Sequence, residues 1–116
     1  MKQLIIFNPW AGHGYAAKVR PQIEAYCNEI DLPYDIFLTQ RAGHGIELCR
    51  DADFSQYSGI IAAGGDGTLF EVVNGYYRNS SAVRLPIGVI PVGSGNAFVR
   101  DMNMHDHDWK LALDVI

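Results

Sequence analysis

The chain is 116 residues long, 48% hydrophobic and 19% charged, with a formal net charge of −4. That length suits one domain with a real core and is short for two, and the composition carries no signature of disorder. The acidic balance excludes a general electrostatic footprint for nucleic acid, although Lys18, Arg20, Arg41, Arg50, Arg84 and Arg100 leave room for a local basic patch.

Residues 2–7 read as a buried strand: short, apolar, β-branched, and stopped by Asn8-Pro9. The apolar run is too short for a signal peptide, and nothing in the chain approaches the ~20 apolar residues of a membrane span. A cytoplasmic protein is expected. Residues 8–14 form a loop. Apolar residues then recur at helical spacing from about Tyr15 to Ile30, with Pro21 marking a kink or a late start. Asp31-Leu32-Pro33 closes that helix, and Tyr34 to Leu38 is a second strand ending at Thr39. A helix follows over 42–52, its start weakened by Gly43 and Gly45. A third strand covers 59–63, a third helix 68–77 and a polar turn 79–84. The fourth strand lies over 86–91, with prolines at its ends as strand rules allow. A glycine-rich loop through Asn96, a short helix from about Ala97 and a last helix over 109–116, capped by Asp108, complete the pattern.

Strand and helix alternate throughout, which points to an α/β fold with a parallel sheet. Three glycine-rich loops (8–14, 64–68 and 93–96) each follow a strand. In an open parallel sheet the strand C-termini share one edge, where ligands bind. Chain order alone therefore puts the three loops on one rim.

Gly64-Gly65-Asp66-Gly67-Thr68 is the most specific of them. Glycines expose backbone N–H groups to a close ligand, and a helix starting near Asp66 would aim its positive end at the same spot, which suits phosphate. An aspartate beside phosphate needs a metal ion between the charges or a hydroxyl whose proton it accepts. Cradle plus acid reads as phosphoryl transfer. Glu71, one turn after Thr68, either caps backbone amides or faces the ligand. Gly12-His13-Gly14-Tyr15-Ala16-Ala17 fits a dinucleotide-binding pattern. However, Asn8 to Ala11 intervene where that fingerprint wants a tight turn, and the second strand ends in Thr39-Gln40 rather than an acid. A structural loop and a nucleotide-phosphate loop remain the other readings, and Asn8 either holds the loop or meets a ligand. Asn96, beside Gly93-Ser94-Gly95, can bond a phosphate or a loop backbone.

Cys27 and Cys49 read as buried, reduced thiols. The four histidines show no ligand pattern; His105 and His107 bracket Asp106 without distant partners. Trp10 reads as loop packing, and Trp109 as core or a contact beyond the chain end. Phe70, Val72, Val73, Tyr76 and Tyr77 read as core rather than a lipid face.

Together, Gly64 to Leu69 with Glu71-Val72-Val73-Asn74-Gly75, Asn8-Pro9 with Gly12, Thr39 with Gly43-His44, and Pro91-x-Gly93-Ser94-x-Asn96 resemble the diacylglycerol kinase catalytic domain family, which includes bacterial lipid kinases and sphingosine and ceramide kinases. The resemblance implies a Rossmann-like three-layer fold, a parallel sheet with helices on both faces, like the N-terminal domains of NAD kinases and diacylglycerol kinases. It implies an ATP-dependent lipid kinase acting on a diacylglycerol or sphingoid-type hydroxyl. ATP would be bound by Asn8, Pro9, Trp10, Ala11, Gly12, Thr39, Gly64, Gly65, Gly67, Thr68, Leu69, Phe70, Glu71, Ser94 and Asn96. Asp66 would be the catalytic residue, holding Mg²⁺ or orienting the γ-phosphate. Peripheral membrane contact and a homo-oligomer are compatible with this reading. Ala97 stands where the family often has Asp, and Phe70 replaces a common Asn. The family also has a second, β-rich domain that completes the lipid site and supplies the acid proposed as general base, and the chain ends at Ile116 where that domain would begin. An NAD-kinase-like enzyme, which shares the Gly-Gly-Asp-Gly-Thr core, and a non-catalytic nucleotide-binding module are the alternatives.

Overall fold

Leu4, Ile5, Ile6 and Phe7 are all buried, so strand β1 (Lys2–Phe7) must be covered on both faces. In the computed structural model, which describes residues 1–92, it lies inside a sheet of order β2-β1-β3-β4. Its partners are β2 (Tyr34–Leu38), β3 (Tyr57–Gly64) and β4 (Ile87–Pro91), and every pairing is parallel. Alternation along the strands divides the core in two. Ile5, Phe7, Ile61 and Ala63 join Ala16, Val19, Ile23 and Cys27 of helix α1 (Tyr15–Glu29) on one face. Leu4, Ile6, Ile60 and Ala62 join Cys49 of α2 (His44–Arg50) and Val72 of α3 (Asp66–Arg78) on the other. The result is the expected three-layer α/β arrangement.

The order also fixes where a ligand can sit. From β1 the chain steps through α1 to β2 on one side. From β2 it crosses back through α2 to β3 on the other, and α3 carries it on to β4. The reversal falls between β1 and β3, and the crevice beyond their C-terminal ends is the binding place of such sheets.

Element boundaries differ from the pattern reading in instructive ways. Helix α1 runs unbroken from Tyr15 with Pro21 inside it, on the exposed side. Strand β3 starts two residues early because Tyr57 is buried and donates its hydroxyl to Asp35 across the sheet, at 2.8 Å. A 3₁₀ turn at Phe54–Gln56 precedes it, capped by Asp53, whose carboxylate accepts from the Ser55 amide at 3.1 Å. Helix α2 is shorter than 42–52, since Gly43 at φ 83° sets its start. Phe70 and Tyr77, expected in the core, are 65% and 79% exposed, while Val72 is buried. Helix α3 presents one stripe to the sheet, and these two aromatics lie off it. Cys27 and Cys49 are buried free thiols, and burial pushes Cys49 up to about 12. The Ser94 and Asn96 loop, Ala97, the His105–His107 tract, Trp109 and the last helix with its Asp108 cap lie outside the described residues.

Candidate nucleotide site

The four strand ends are level. Phe7 pairs with both Leu38 and Ala63, and Gly64 with Pro91. Two hydrogen bonds tie the departing loops together: the Thr39 amide donates to Phe7 O and the Asn8 amide to Ala63 O, both at 2.9 Å. A cavity of about 520 Å³ opens above this edge, within the usual range for small-molecule sites.

The first wall is the loop after β1. Asn8, Trp10, Ala11 and Gly12 line the cavity. The Asn8 side-chain oxygen accepts from the Trp10 amide at 3.0 Å, so Asn8 holds the loop. Gly12, His13 and Gly14 all have positive φ (64°, 56° and 91°), a run that turns the chain into α1 and that side chains with a Cβ rarely adopt. Trp10 is 73% exposed, which corrects the loop-packing reading: the indole stands at the cavity's rim. Pro9 does not line the cavity; its carbonyl accepts from the Ala17 amide at 3.1 Å and anchors α1.

The second wall is the turn from β3 into α3. Gly65, Asp66, Gly67 and Thr68 line it. Helix α3 is capped at Gly65 without any side-chain hydrogen bond, so its first-turn amides and positive dipole end face the cavity. Thr68 is buried and packs so closely on Gly64 that a Cβ there would run into its side chain. Gly64 is thus a packing position behind the wall rather than part of its surface. Leu69 joins the core and Phe70 points to solvent, so neither lines the cavity.

The third wall is the segment after β2: Thr39, Arg41 and Ala42. Pattern reasoning missed the last two. Glu71 explains how this segment is held. Its carboxylate accepts from the amides of Gly45 (2.9 Å) and Gly43 (3.1 Å), so of the two readings open for Glu71 the structure takes amide capping, with the residue also lining the cavity. Gly45 leaves room for that carboxylate; a Cβ would lie 2.8 Å from its oxygen. His44 Nδ1 accepts from the Gln40 amide at 2.9 Å, and Arg41 pairs with Glu47 at 2.6 Å. At the far end of α2, the Asn79 side-chain amide donates to the carbonyls of Cys49, Arg50 and Ala52 at 2.9–3.0 Å. Helix α2 is clasped to α3 at both ends, acid at its N-terminus and donor at its C-terminus, as its dipole favours. The Arg41 guanidinium holds Glu47 below the usual carboxylate range.

Small residues, the first-turn amides of α3, the carboxylates of Asp66 and Glu71 and the Arg41 side chain line the three walls, a chemistry compatible with a phosphorylated ligand. Among the described residues no three His, Cys, Asp or Glu side chains gather as a metal site, and no helix is long and apolar enough to cross a membrane.

Known proteins match this architecture. The model of the diacylglycerol kinase catalytic domain matches residues 2–116. Sphingosine kinase 2 of Homo sapiens is 34% identical over 118 residues, covering 97% of this chain and 18% of that protein. Sphingoid long-chain bases kinase 1 of Arabidopsis thaliana is 39% identical over 103 residues, covering 84% and 14%. The crystal structure of a diacylglycerol kinase from Bacillus anthracis str. Sterne superposes with a TM-score of 0.73 at 29% identity, over 96% of this chain and 40% of that one. The chain therefore spans between 14% and 40% of the length of these three proteins. With a family match from end to end and a fold shared with a solved member, the chain belongs to the diacylglycerol kinase catalytic domain family.

Proposed function

We propose that this chain is the ATP-binding domain of a lipid kinase, one that transfers the γ-phosphoryl group of ATP to a diacylglycerol or sphingoid-type hydroxyl. The observation that carries the reading is the cavity at the β1/β3 reversal, where the uncapped amides of α3 and the Asp66 carboxylate line one wall. The amides suit the phosphates of ATP, by charge and by geometry. In the transfer, the acceptor oxygen bonds to the γ-phosphorus as its bond to the β,γ-bridging oxygen breaks. ADP leaves, and the hydroxyl proton passes to a base.

The donor set fits Mg²⁺ arriving with ATP, since that ion commonly uses one or two carboxylates plus substrate phosphates. Asp66 would hold it, and the ion would neutralise charge developing on the phosphates. Leu69 and Phe70 have no place in the binding surface under this reading, and Gly64 acts only through packing. Ser94 and Asn96, if they act, would do so from the segment after β4. The β-rich domain that the family resemblance implies, carrying the general base and most of the lipid site, is part of the same proposal. A lipid acceptor also implies a peripheral contact with a membrane surface.

Labelled ATP with diacylglycerol, sphingosine or NAD as acceptor tests the activity, using the chain with a β-rich partner domain supplied. Label entering a lipid, and a loss on the order of a hundredfold in Asp66→Asn with ATP binding retained, is the expected outcome. Label entering NAD would replace the reading with an NAD-kinase-like one. Calorimetric ATP binding without transfer to any acceptor would leave a nucleotide-binding module. Alone, the chain is expected to bind ATP–Mg²⁺ weakly and to turn over little.

A further inference from the structure

The cavity has an imbalance of charge. Of the described residues that line it, Asp66 and Glu71 are acids and Arg41 is the one base. A nucleotide polyphosphate entering such a site needs cationic partners, and α3 amides supply only partial charge. Arg41 is in place for this, but its guanidinium is bonded to Glu47, 2.6 Å away. Glu47 itself does not line the cavity. The pair straddles the rim, base on the inside and acid on the outside.

We propose that Arg41 is a phosphate-binding residue of this site which Glu47 holds in reserve, the guanidinium exchanging the carboxylate for the polyphosphate when a nucleotide enters. The inference rests on the nucleotide reading above and names a residue that reading does not use. Exchange is cheap at the start, because both side chains are well exposed (57% and 40%) and an exposed ion pair is a weak one. It is favourable at the end, because phosphate offers a guanidinium fork two parallel bonds and more charge than one carboxylate. The pivot is fixed. His44 donates its amide to Arg41 O at 3.1 Å, its ring accepts from Gln40, and Glu71 pins Gly43 and Gly45 just beyond. The Arg41 side chain can therefore move while its backbone stays.

The 116-residue chain, Arg41→Ala and Glu47→Gln, each checked for folding by its unliganded melting temperature, would be titrated calorimetrically with ATP, ADP, AMP and adenosine. Arg41→Ala should weaken ATP by about tenfold or more, as expected for a hydrogen bond to a charged group. That loss should shrink along the series and vanish for adenosine. Glu47→Gln should tighten ATP, because the competing carboxylate is gone. An unchanged ATP affinity in Arg41→Ala overturns the proposal, as does an equal loss for adenosine, which would place the guanidinium on the base. So does a Glu47→Gln variant that weakens ATP as Arg41→Ala does, the pattern of a pair that merely shapes the loop. A wild-type chain that binds none of the four ligands removes the nucleotide reading itself, and the inference with it.

Discussion

Two walls of the same cavity are built on opposite plans. The wall from β3 into α3 is made by backbone: glycines, first-turn amides and a single acid, with Thr68 locked against Gly64 behind it. The wall after β2 is made by Thr39, Arg41 and Ala42 on a segment fastened largely from α3. Helix α2 has only 7 residues, and its leading loop is held by Glu71 and His44. The first wall is backed by the core through buried Thr68 and Gly64, so it cannot shift far without disturbing the packing beneath it. The second is attached to the first through Glu71, so it can be loosened alone. On the nucleotide reading proposed above, a site that holds phosphates still and yet admits a ligand would gain from having one wall of each kind.

That contrast is broken most directly at Gly64. A methyl group there meets the Thr68 hydroxyl, Cβ and Cγ2, and the Cβ, fixed to the helix backbone, cannot retreat without shifting α3. Gly64→Ala should cost about 1–3 kcal/mol, as overpacked cores do, and lower Tm by roughly 5–15 °C. A thermal melt with wild-type Tm would show that the backbone wall is no more fixed than its partner.

Glu71 is the sharper test, because it separates fastening from folding. Glu71→Ala leaves the Gly43 and Gly45 amides without their carboxylate, in a half-buried place that water can reach. About 1 kcal/mol of stability should go, a smaller loss than at Gly64. Nucleotide affinity should fall further than the melt suggests, since Thr39, Arg41 and Ala42 lose their anchor. Glu71→Gln keeps one acceptor and should fall between the two. Equal ATP affinity in all three proteins would detach the two walls.

Much of this arrangement was legible in the sequence. The apolar run Leu4 to Phe7, the alternation of strands and helices and the three post-strand glycine loops placed the rim correctly for the two loops the structure describes. What pattern could not supply was contact between distant positions. Nothing in Gly43-His44-Gly45 shows that Glu71, 26 and 28 residues later, will cap it; in sequence the two glycines only look like a poor helix start. Arg41 counted only as one of several scattered bases and Ala42 only as a helix start, because a cavity wall is defined by the neighbours it faces. Trp10, Phe70 and Tyr77 were misjudged for a related reason: helical spacing and loop position identify apolar residues, but the sheet decides which of them it covers.

The smallest expected effect lies at the other end of the sheet and serves as a control on both walls. Asp35 accepts from Tyr57 and pairs with Lys2 at 2.9 Å, at the opposite end of the strands from the cavity. The Lys2 and Tyr57 bonds hold the Asp35 carboxyl below its ordinary value of 3.8. A folded-state value below the unfolded one adds stability that is present above about pH 4. It is lost as pH falls through the folded value. Burial, and then the Asp35 bond, push Tyr57 up to about 12, so its stabilisation is complete below about pH 10 and lost as pH rises through 12. Wild-type and Asp35→Asn melting temperatures should therefore differ slightly at neutral pH and converge as the solution is acidified below pH 4. ATP affinity at neutral pH should be the same in both. If Asp35→Asn weakened ATP as Glu71→Ala does, the cavity would be responding to general loosening of the sheet. The special role given to the Glu71 clasp would then have no support.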